Sequence, residues 1–156
     1  MDRKYAKTFY SSGVKQTENM AELIGAKLKG SELIELVSDL GGGKTTFVKG
    51  LTKGAGSVDH VSSPSFTLRN DYTAPKLTIA HFDFYRLNDA GILKEMLAEA
   101  VTDPTTVVVI EWAGIVNDVL SSDKVKISIK VTGENSRTFE LDYPERFKYL
   151  FQGINL

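Results

Sequence analysis

The residues of this chain best suited to chemistry begin at Ser38-Asp39-Leu40-Gly41-Gly42-Gly43-Lys44-Thr45. Three successive glycines let backbone N–H groups converge on anionic oxygens without a Cβ in the way. A lysine directly after them can reach the β- and γ-phosphates of a nucleotide, and the Thr45 hydroxyl can ligate magnesium. The spacing is that of a phosphate loop: a glycine, four free positions, then Gly-Lys and Ser or Thr. One position departs from it, because Ser38 stands where the first glycine is expected. The alternative is a flexible turn ahead of an ordinary helix, which leaves three adjacent glycines with an ordering cost and no purpose.

A phosphate loop needs a strand before it and a helix after it, and both are predicted. Leu33 to Val37 is a short apolar strand, and the helix opening at Lys44, Thr45 and Thr46 carries Phe47, Val48 and Leu51 on one face. Its positive end points at the same anion as the loop amides. Two acids are predicted at strand ends, where open α/β sheets place active-site groups. Leu77 to Phe84 reads as a strand with Leu77, Ile79, His81 and Asp83 on one face. Asp83 then orients water or metal, or else pairs with Arg86 or caps a turn. His81 is expected to be a hydrogen-bonded, partly buried side chain rather than a general base. Val107 to Ile110 is an uninterrupted apolar run, as in a central parallel strand, and ends in Glu111-Trp112. An acid there can hold magnesium or polarise the attacking water, unless it simply faces solvent. Trp112 itself reads as packing more readily than as base recognition. The hydroxyl-rich run Ser62 to Leu68 follows the phosphate-loop helix, where nucleotide switches sense the γ-phosphate, although a Ser-Pro turn into an edge strand explains it as simply.

The remaining elements are supports. Phe9 and Tyr10 suggest an edge strand. Thr17 is a plausible N-cap for a helix carrying Met20, Leu23, Ile24 and Leu28 as far as Lys29, stopped by Gly30. Asp89 to Val101 is predicted as an Asp-capped crossover helix with Ile92, Leu93, Met96, Leu97 and Ala100 on its apolar face. Ile115 to Leu120 suggests a short helix. Val125 to Val131 and Phe139 to Tyr143 alternate around Gly133-Glu134-Asn135 as an antiparallel hairpin, and Pro144 opens a last short helix with Phe147, Leu150 and Phe151 inward.

At 156 residues the chain is expected to form a single domain, residues 1–156, with a continuous core. Its 42% hydrophobic and 25% charged composition is that of a soluble globular protein. With no apolar run near membrane length and no charged-then-apolar leader, a cytoplasmic location without membrane partners is expected. The absence of cysteine excludes disulfides and thiolate chemistry, and two histidines, His60 and His81, exclude a histidine-rich metal site. A net charge of −1 argues against gripping nucleic acid directly, so any such surface would come from a partner.

Four stretches, in order and at similar spacing, resemble the TsaE family, also called YjeE: Leu40-Gly41-Gly42-Gly43-Lys44-Thr45-Thr46-Phe47 with Lys49-Gly50-Leu51, Ser63-Pro64-Ser65-Phe66-Thr67-Leu68, His81-Phe82-Asp83-Phe84-Tyr85-Arg86-Leu87, and Ile110-Glu111-Trp112-Ala113. The family comprises small bacterial P-loop ATPases needed to make threonylcarbamoyladenosine in tRNA, and the resemblance covers about residues 17 to 132. It implies an α/β, three-layer P-loop NTPase fold with a mixed, largely parallel central sheet, here followed by the C-terminal antiparallel hairpin. It also implies ATP and Mg2+ as ligands, weak hydrolysis by the isolated protein, docking on the TsaB and TsaD proteins, and tRNA reached indirectly through them. By the same resemblance the nucleotide contacts are Thr17, Asp39, Leu40, Gly41, Gly42, Gly43, Lys44, Thr45, Thr46 and Trp112. Thr45 and Glu111 then serve magnesium, and Lys44, Asp83 and Glu111 are catalytic. Ser38 departs from the family's first loop glycine and is accommodated if its φ stays negative. Ser65 replaces the usual Thr and keeps the hydroxyl. The helix at 89 to 101 has Gly91-Ile92 and Leu97 where the family tends to show an acidic pair and a glycine.

Two other functions fit a small phosphate-loop domain. A small-molecule kinase needs an acceptor pocket and usually a lid of clustered arginines, whereas Arg3, Arg69, Arg86, Arg137 and Arg146 are scattered. A nucleotide-dependent docking module would use ATP binding, without required hydrolysis, to order the 62 to 68 segment for a partner. No guanine-recognition signature follows the loop, which disfavours a GTPase.

Overall fold

The computed structural model describes residues 3–39, 41–65, 67–85, 87 and 91–154. Among them, β1 (Lys4–Ser11), β2 (Leu33–Val37), β3 (Arg69–Thr73), β4 (Thr78–Asp83), β5 (Thr106–Glu111), β6 (Val125–Val131) and β7 (Arg137–Pro144) form one sheet in the order β1-β7-β6-β2-β5-β4-β3. The four central strands β6, β2, β5 and β4 are mutually parallel. Antiparallel partners close both sides, β3 on β4 at one edge and the β6–β7 hairpin with β1 at the other. The helices are α1 (Val14–Gly25), α2 (Lys44–Gly54) and α3 (Ile92–Thr102), with short 3-10 helices at Ala113–Val116 and Glu145–Phe151.

Period-two alternation sends successive side chains of the central strands into two cores. Ile34, Leu36, Val107, Val109 and Ile127 face α1 and α2, meeting Met20, Ile24, Phe47, Val48 and Leu51. Leu33, Val108, Ile110, Ala80 and Phe82 face the other way, against Leu97, Ala100 and Val116. The result is three layers, and it explains why β5 is apolar at every position from Val107 to Ile110: it is covered on both faces. The crossover from β4 through α3 to β5 is as predicted, and so are the edge position of β1 and the C-terminal hairpin.

α2 opens at Lys44 as expected, but the starts of α1 and α3 differ. Thr17 is not a cap: α1 begins at Val14 with Gly13 as N-cap, and Thr17 N–H already donates to Gly13 O at 3.1 Å inside the helix. The amide and hydroxyl of Ser12 both donate to Gln16 Oε1, at 2.7 and 2.8 Å, so a reaching glutamine anchors this end in place of a Thr cap. The helix also closes at Gly25, before the predicted Lys29. In α3 the N-cap is Gly91, and the predicted cap Asp89 lies outside the described residues. Ile92, expected inward, is exposed at the first position of the helix; Leu97 and Ala100 carry the burial, with Leu93 and Met96 partly buried beside them.

α1 and α2 touch backbone to backbone. A Cβ at Gly25 would stand 2.0 Å from Leu51 O, one at Gly50 2.4 Å from Glu18 O, and one at Gly54 2.0 Å from Glu22 O. The two helices therefore cross through glycines, which fixes where α2, and the loop feeding it, sit on the sheet.

Candidate nucleotide site

β2 delivers the loop at the carboxyl end of the parallel strands, and β4 and β5 deliver Asp83 and Glu111 to the same end, paired in register with each other. Gly41, Gly42, Gly43, Lys44, Thr45 and Thr46 line a cavity of about 280 Å³, which Ser63, Ser65, Asp83, Glu111 and Trp112 complete. Gly43 has φ +103 immediately before α2, a turn that side-chain-bearing residues rarely make, and a Cβ there would meet nothing within 4 Å. The loop amides and the α2 N-terminus thus open onto free space. Ser38 is accommodated: among the described residues the non-glycine positions with positive φ are Ser31, Leu68 and Trp112, and it is not one of them. Its Oγ donates to Asp39 O at 2.9 Å and lies where a Cβ on Gly42 would come within 2.4 Å.

Lys44 is 8% exposed and its Nζ donates to Ser38 O at 3.2 Å. The same ammonium lies 3.6 Å from Glu111 Oε1 and 5.4 Å from the centre of the Trp112 ring. Glu111 is 3% exposed, and its other oxygen, Oε2, is 2.5 Å from His81 Nε2. A carboxylate accepts, so Nε2 carries the proton; His81 is fully buried, and its Nδ1 has no hydrogen-bond partner among the described residues. The expected partly buried histidine is therefore a wholly buried one that steadies the strand-end acid.

Of the roles expected of it, Asp83 takes that of turn cap, and it also holds a serine. Oδ1 accepts the Tyr85 N–H at 2.8 Å, capping the turn after β4, while Oδ2 accepts the Ser65 hydroxyl at 3.0 Å. Ser65 is in turn 2.8 Å from Ser63 Oγ. Leu68, at φ +69, bends the chain from this serine run into β3, and its carbonyl takes the Asp83 N–H at 2.9 Å. The postulated pairing with Arg86 lies outside the described residues. Trp112 is 41% exposed, has φ +57, and packs on the Tyr85 ring at 4.8 Å between centres, so it forms part of the cavity rim and also packs.

The remaining candidates stand apart. Thr17 is buried, with its hydroxyl 2.7 Å from Ser11 Oγ, beside a second cavity of about 80 Å³. That cavity shares Gly43 and Thr46 with the first and is completed by Gly13, Val14, Glu134, Asn135 and Arg137. Asp39 is exposed and meets the loop through its carbonyl, which accepts the Gly42 N–H at 3.1 Å. Leu40 lies outside the described residues. Sequence reasoning missed Arg137 at the hairpin return, whose guanidinium reaches the loop carbonyls. No local pattern announces it, because the loop and the hairpin are far apart in the chain.

The donor set suits magnesium and a nucleotide. Thr45, Asp83 and Glu111 offer oxygen ligands of the kind a hard cation takes, and the amide-lined loop with Lys44 offers a cradle for phosphate. Among the described residues no helix is long and apolar enough to cross a membrane.

Comparison with known proteins agrees with this fold. YdiB of Bacillus subtilis, solved by crystallography, superposes with a TM-score of 0.75 at 25% identity, over 96% of this chain and 94% of that one. The tRNA threonylcarbamoyladenosine biosynthesis protein TsaE of Bacillus subtilis is 33% identical over 78% of this chain and 76% of its own length. The protein of the same name from Rickettsia prowazekii is 31% identical over 88% and 94%. Residues 11–139 match the model described as threonylcarbamoyl adenosine biosynthesis protein TsaE. Both glycine-loop strand and acid-bearing strands fall inside that match, and on this sequence and structural evidence together the chain belongs to the TsaE family.

Proposed function

We propose that this chain is the ATP-hydrolysing subunit of tRNA threonylcarbamoyladenosine synthesis, acting in the cytoplasm on a TsaB–TsaD-type complex that itself carries the tRNA. The observation that supports this most is the convergence of Lys44, Asp83 and Glu111 on one glycine-lined cavity in a TsaE family member. The pathway comes from the names of its relatives, and the near-neutral charge suits a subunit that leaves most of the nucleic acid to its partners.

In this reading the amides at Gly41 to Thr46 and the Lys44 ammonium bind the phosphates of ATP, with the nucleoside end toward the smaller cavity beside Thr17. Thr45 and Glu111 would hold magnesium, which supplies neutralisation of the charge on the phosphate oxygens. Lys44 exchanges its contact with Glu111 for the phosphates, leaving that carboxylate to the metal. His81 keeps Glu111 in place through the exchange. Asp83 accepts a proton from the attacking water as the new P–O bond forms and the bond to ADP breaks. Its tie to Ser65 supports this assignment over Glu111, since the serine run is the part of the cavity wall that partners could reposition. Trp112 shields the phosphate end from bulk water.

The test is magnesium-dependent ATP hydrolysis by the chain alone and with purified TsaB and TsaD from the same source. A slow basal rate, stimulated by the partners and reduced at least about 100-fold in Lys44→Ala, is expected. ATP binding with no stimulation would sink the complex-dependent cycle. Support for the partners that survives Glu111→Ala would favour the docking module.

A further inference from the structure

Arg137 opens β7 directly after the hairpin turn, yet its side chain points into the phosphate loop. Nε donates to Gly42 O at 3.2 Å and Nη2 reaches Gly41 O at 3.5 Å. Nη1 holds the turn itself, donating to Ser136 O at 2.8 Å and Gly133 O at 3.1 Å, with Glu134 O at 3.5 Å. One planar fork therefore bridges two loops from different ends of the chain, and a guanidinium is the side chain whose fixed donor geometry allows that. Arg137 makes no salt bridge among the described residues, where Lys53, Arg69, Lys94, Lys124, Lys130 and Arg146 all do. A half-buried cation with carbonyl partners only leaves its charge available to an anion.

We propose that Arg137 is the positioning residue of the phosphate loop. In a trans peptide the carbonyl and the following N–H point in opposite directions, and the described chain has no cis bond. Drawing Gly42 O toward the hairpin thus turns the Gly43 N–H away from Arg137. Gly42 N–H is already engaged by Asp39 O, so the peptide joining Gly42 to Gly43 is the one left for Arg137 to orient. Glycines resist such fixing by entropy, and three in a row resist it most. Ser38, whose side chain lies where a Cβ on Gly42 would fall, packs against the loop as well. The clamp holds the loop formed before any ligand arrives, so its loss weakens phosphate binding without touching the chemical step. The same contacts make the loop sensitive to any partner that moves the hairpin turn.

The functional arm of this proposal rests on the nucleotide reading above; the structural arm does not. Arg137→Lys and Arg137→Gln are compared with the wild-type chain. Hydrogen exchange without nucleotide is expected to speed about tenfold in both variants at Gly42 and Phe47, whose amides are bonded to Asp39 O and Gly43 O, and to stay unchanged in β2 and β5. Unchanged exchange in the loop overturns the proposal, and so does exchange that rises throughout β7 and its neighbours, which would make Arg137 a residue of the fold alone. Trp112 fluorescence titrations are expected to show the Kd for ATP and for ADP raised alike, by about tenfold, with KM following and kcat within about twofold. A fall in kcat at unchanged Kd would put the arginine on the transition state and overturn the positioning role. If the wild-type chain binds neither nucleotide, the ATPase reading fails, and the exchange measurement still decides the clamp.

Discussion

Glu111 is held from two directions, by Lys44 toward the cavity and by His81 from within the core. The two contacts differ in kind. The lysine is a mobile counter-ion that a phosphate can displace, whereas His81 is fully buried between strands and has nowhere to go. Replacing it by leucine, of similar bulk, leaves Glu111 Oε2 buried without a donor, a loss of about 2 kcal/mol. For a chain of this size that lowers Tm by about 4–8 °C. His81→Asn or His81→Gln, which can still present an N–H, should recover part of it. Thermal melting of the leucine and amide variants checks this, and equal Tm values for leucine and wild type would mean that the histidine does not support the acid.

α2 owes its position to glycine as much as to apolar packing. Because a Cβ at Gly50 would fall 2.4 Å from Glu18 O and 2.8 Å from the Ala21 Cβ, Gly50→Ala must push α2 away from α1. Overpacking of this kind against backbone costs about 3 kcal/mol, enough to lower Tm by roughly 6–12 °C. The displaced helix carries the loop with it, so nucleotide affinity should fall as well. Gly114→Ala is the control, since its Cβ would meet nothing within 4 Å and its φ is not in the left-handed region; its Tm should not fall. The serine run is positioned differently, by side chains: Ser65 on Asp83 and the Tyr72 hydroxyl on Ser62 O at 3.0 Å. A segment held by a few hydroxyls is easier to move than one crossed through backbone.

The C-terminal segment closes the molecule onto the strand that feeds the loop. Tyr149, in the last 3-10 helix, donates its hydroxyl to Glu32 Oε2. The buried Glu32 also accepts the Lys29 and Gly30 amides, each at 2.8 Å, in the turn that enters β2. Burial first, then the hydrogen bond and the negative charge of Glu32, raise the Tyr149 phenol well above its ordinary value of 10. Tyr143 is raised in the same direction by burial and by Tyr5. A proton retained in the folded state and released on unfolding gives stability that is complete below pH 10 and is lost as pH rises above it. Melting temperatures measured from pH 8 to 11 should therefore turn down above about pH 10 in the wild type and less steeply in Tyr149→Phe, which keeps only the Tyr143 contribution. Identical profiles would show that the phenol is not held protonated by this contact.

How much of this was legible beforehand follows from the range of the forces involved. The loop from Ser38 to Thr45, its flanking strand and helix, the acids ending β4 and β5, and the hairpin were readable because each rests on neighbours a few residues apart: apolar period, glycine freedom and the needs of a phosphate. The starts of α1 and α3 were less so. Thr17 resembled a cap, but Gln16 reaching back to Ser12 competes for the same end, and propensity alone does not choose between them. Asp83 was left with several roles because a carboxylate has two oxygens, and only the fold shows one on Tyr85 N–H and the other on Ser65. His81 against Glu111, Arg137 against Gly42 and Tyr149 against Glu32 join residues far apart in the chain. Those pairings depend on the strand order β1-β7-β6-β2-β5-β4-β3, which arises from the burial of whole faces against one another and leaves no mark on any local stretch.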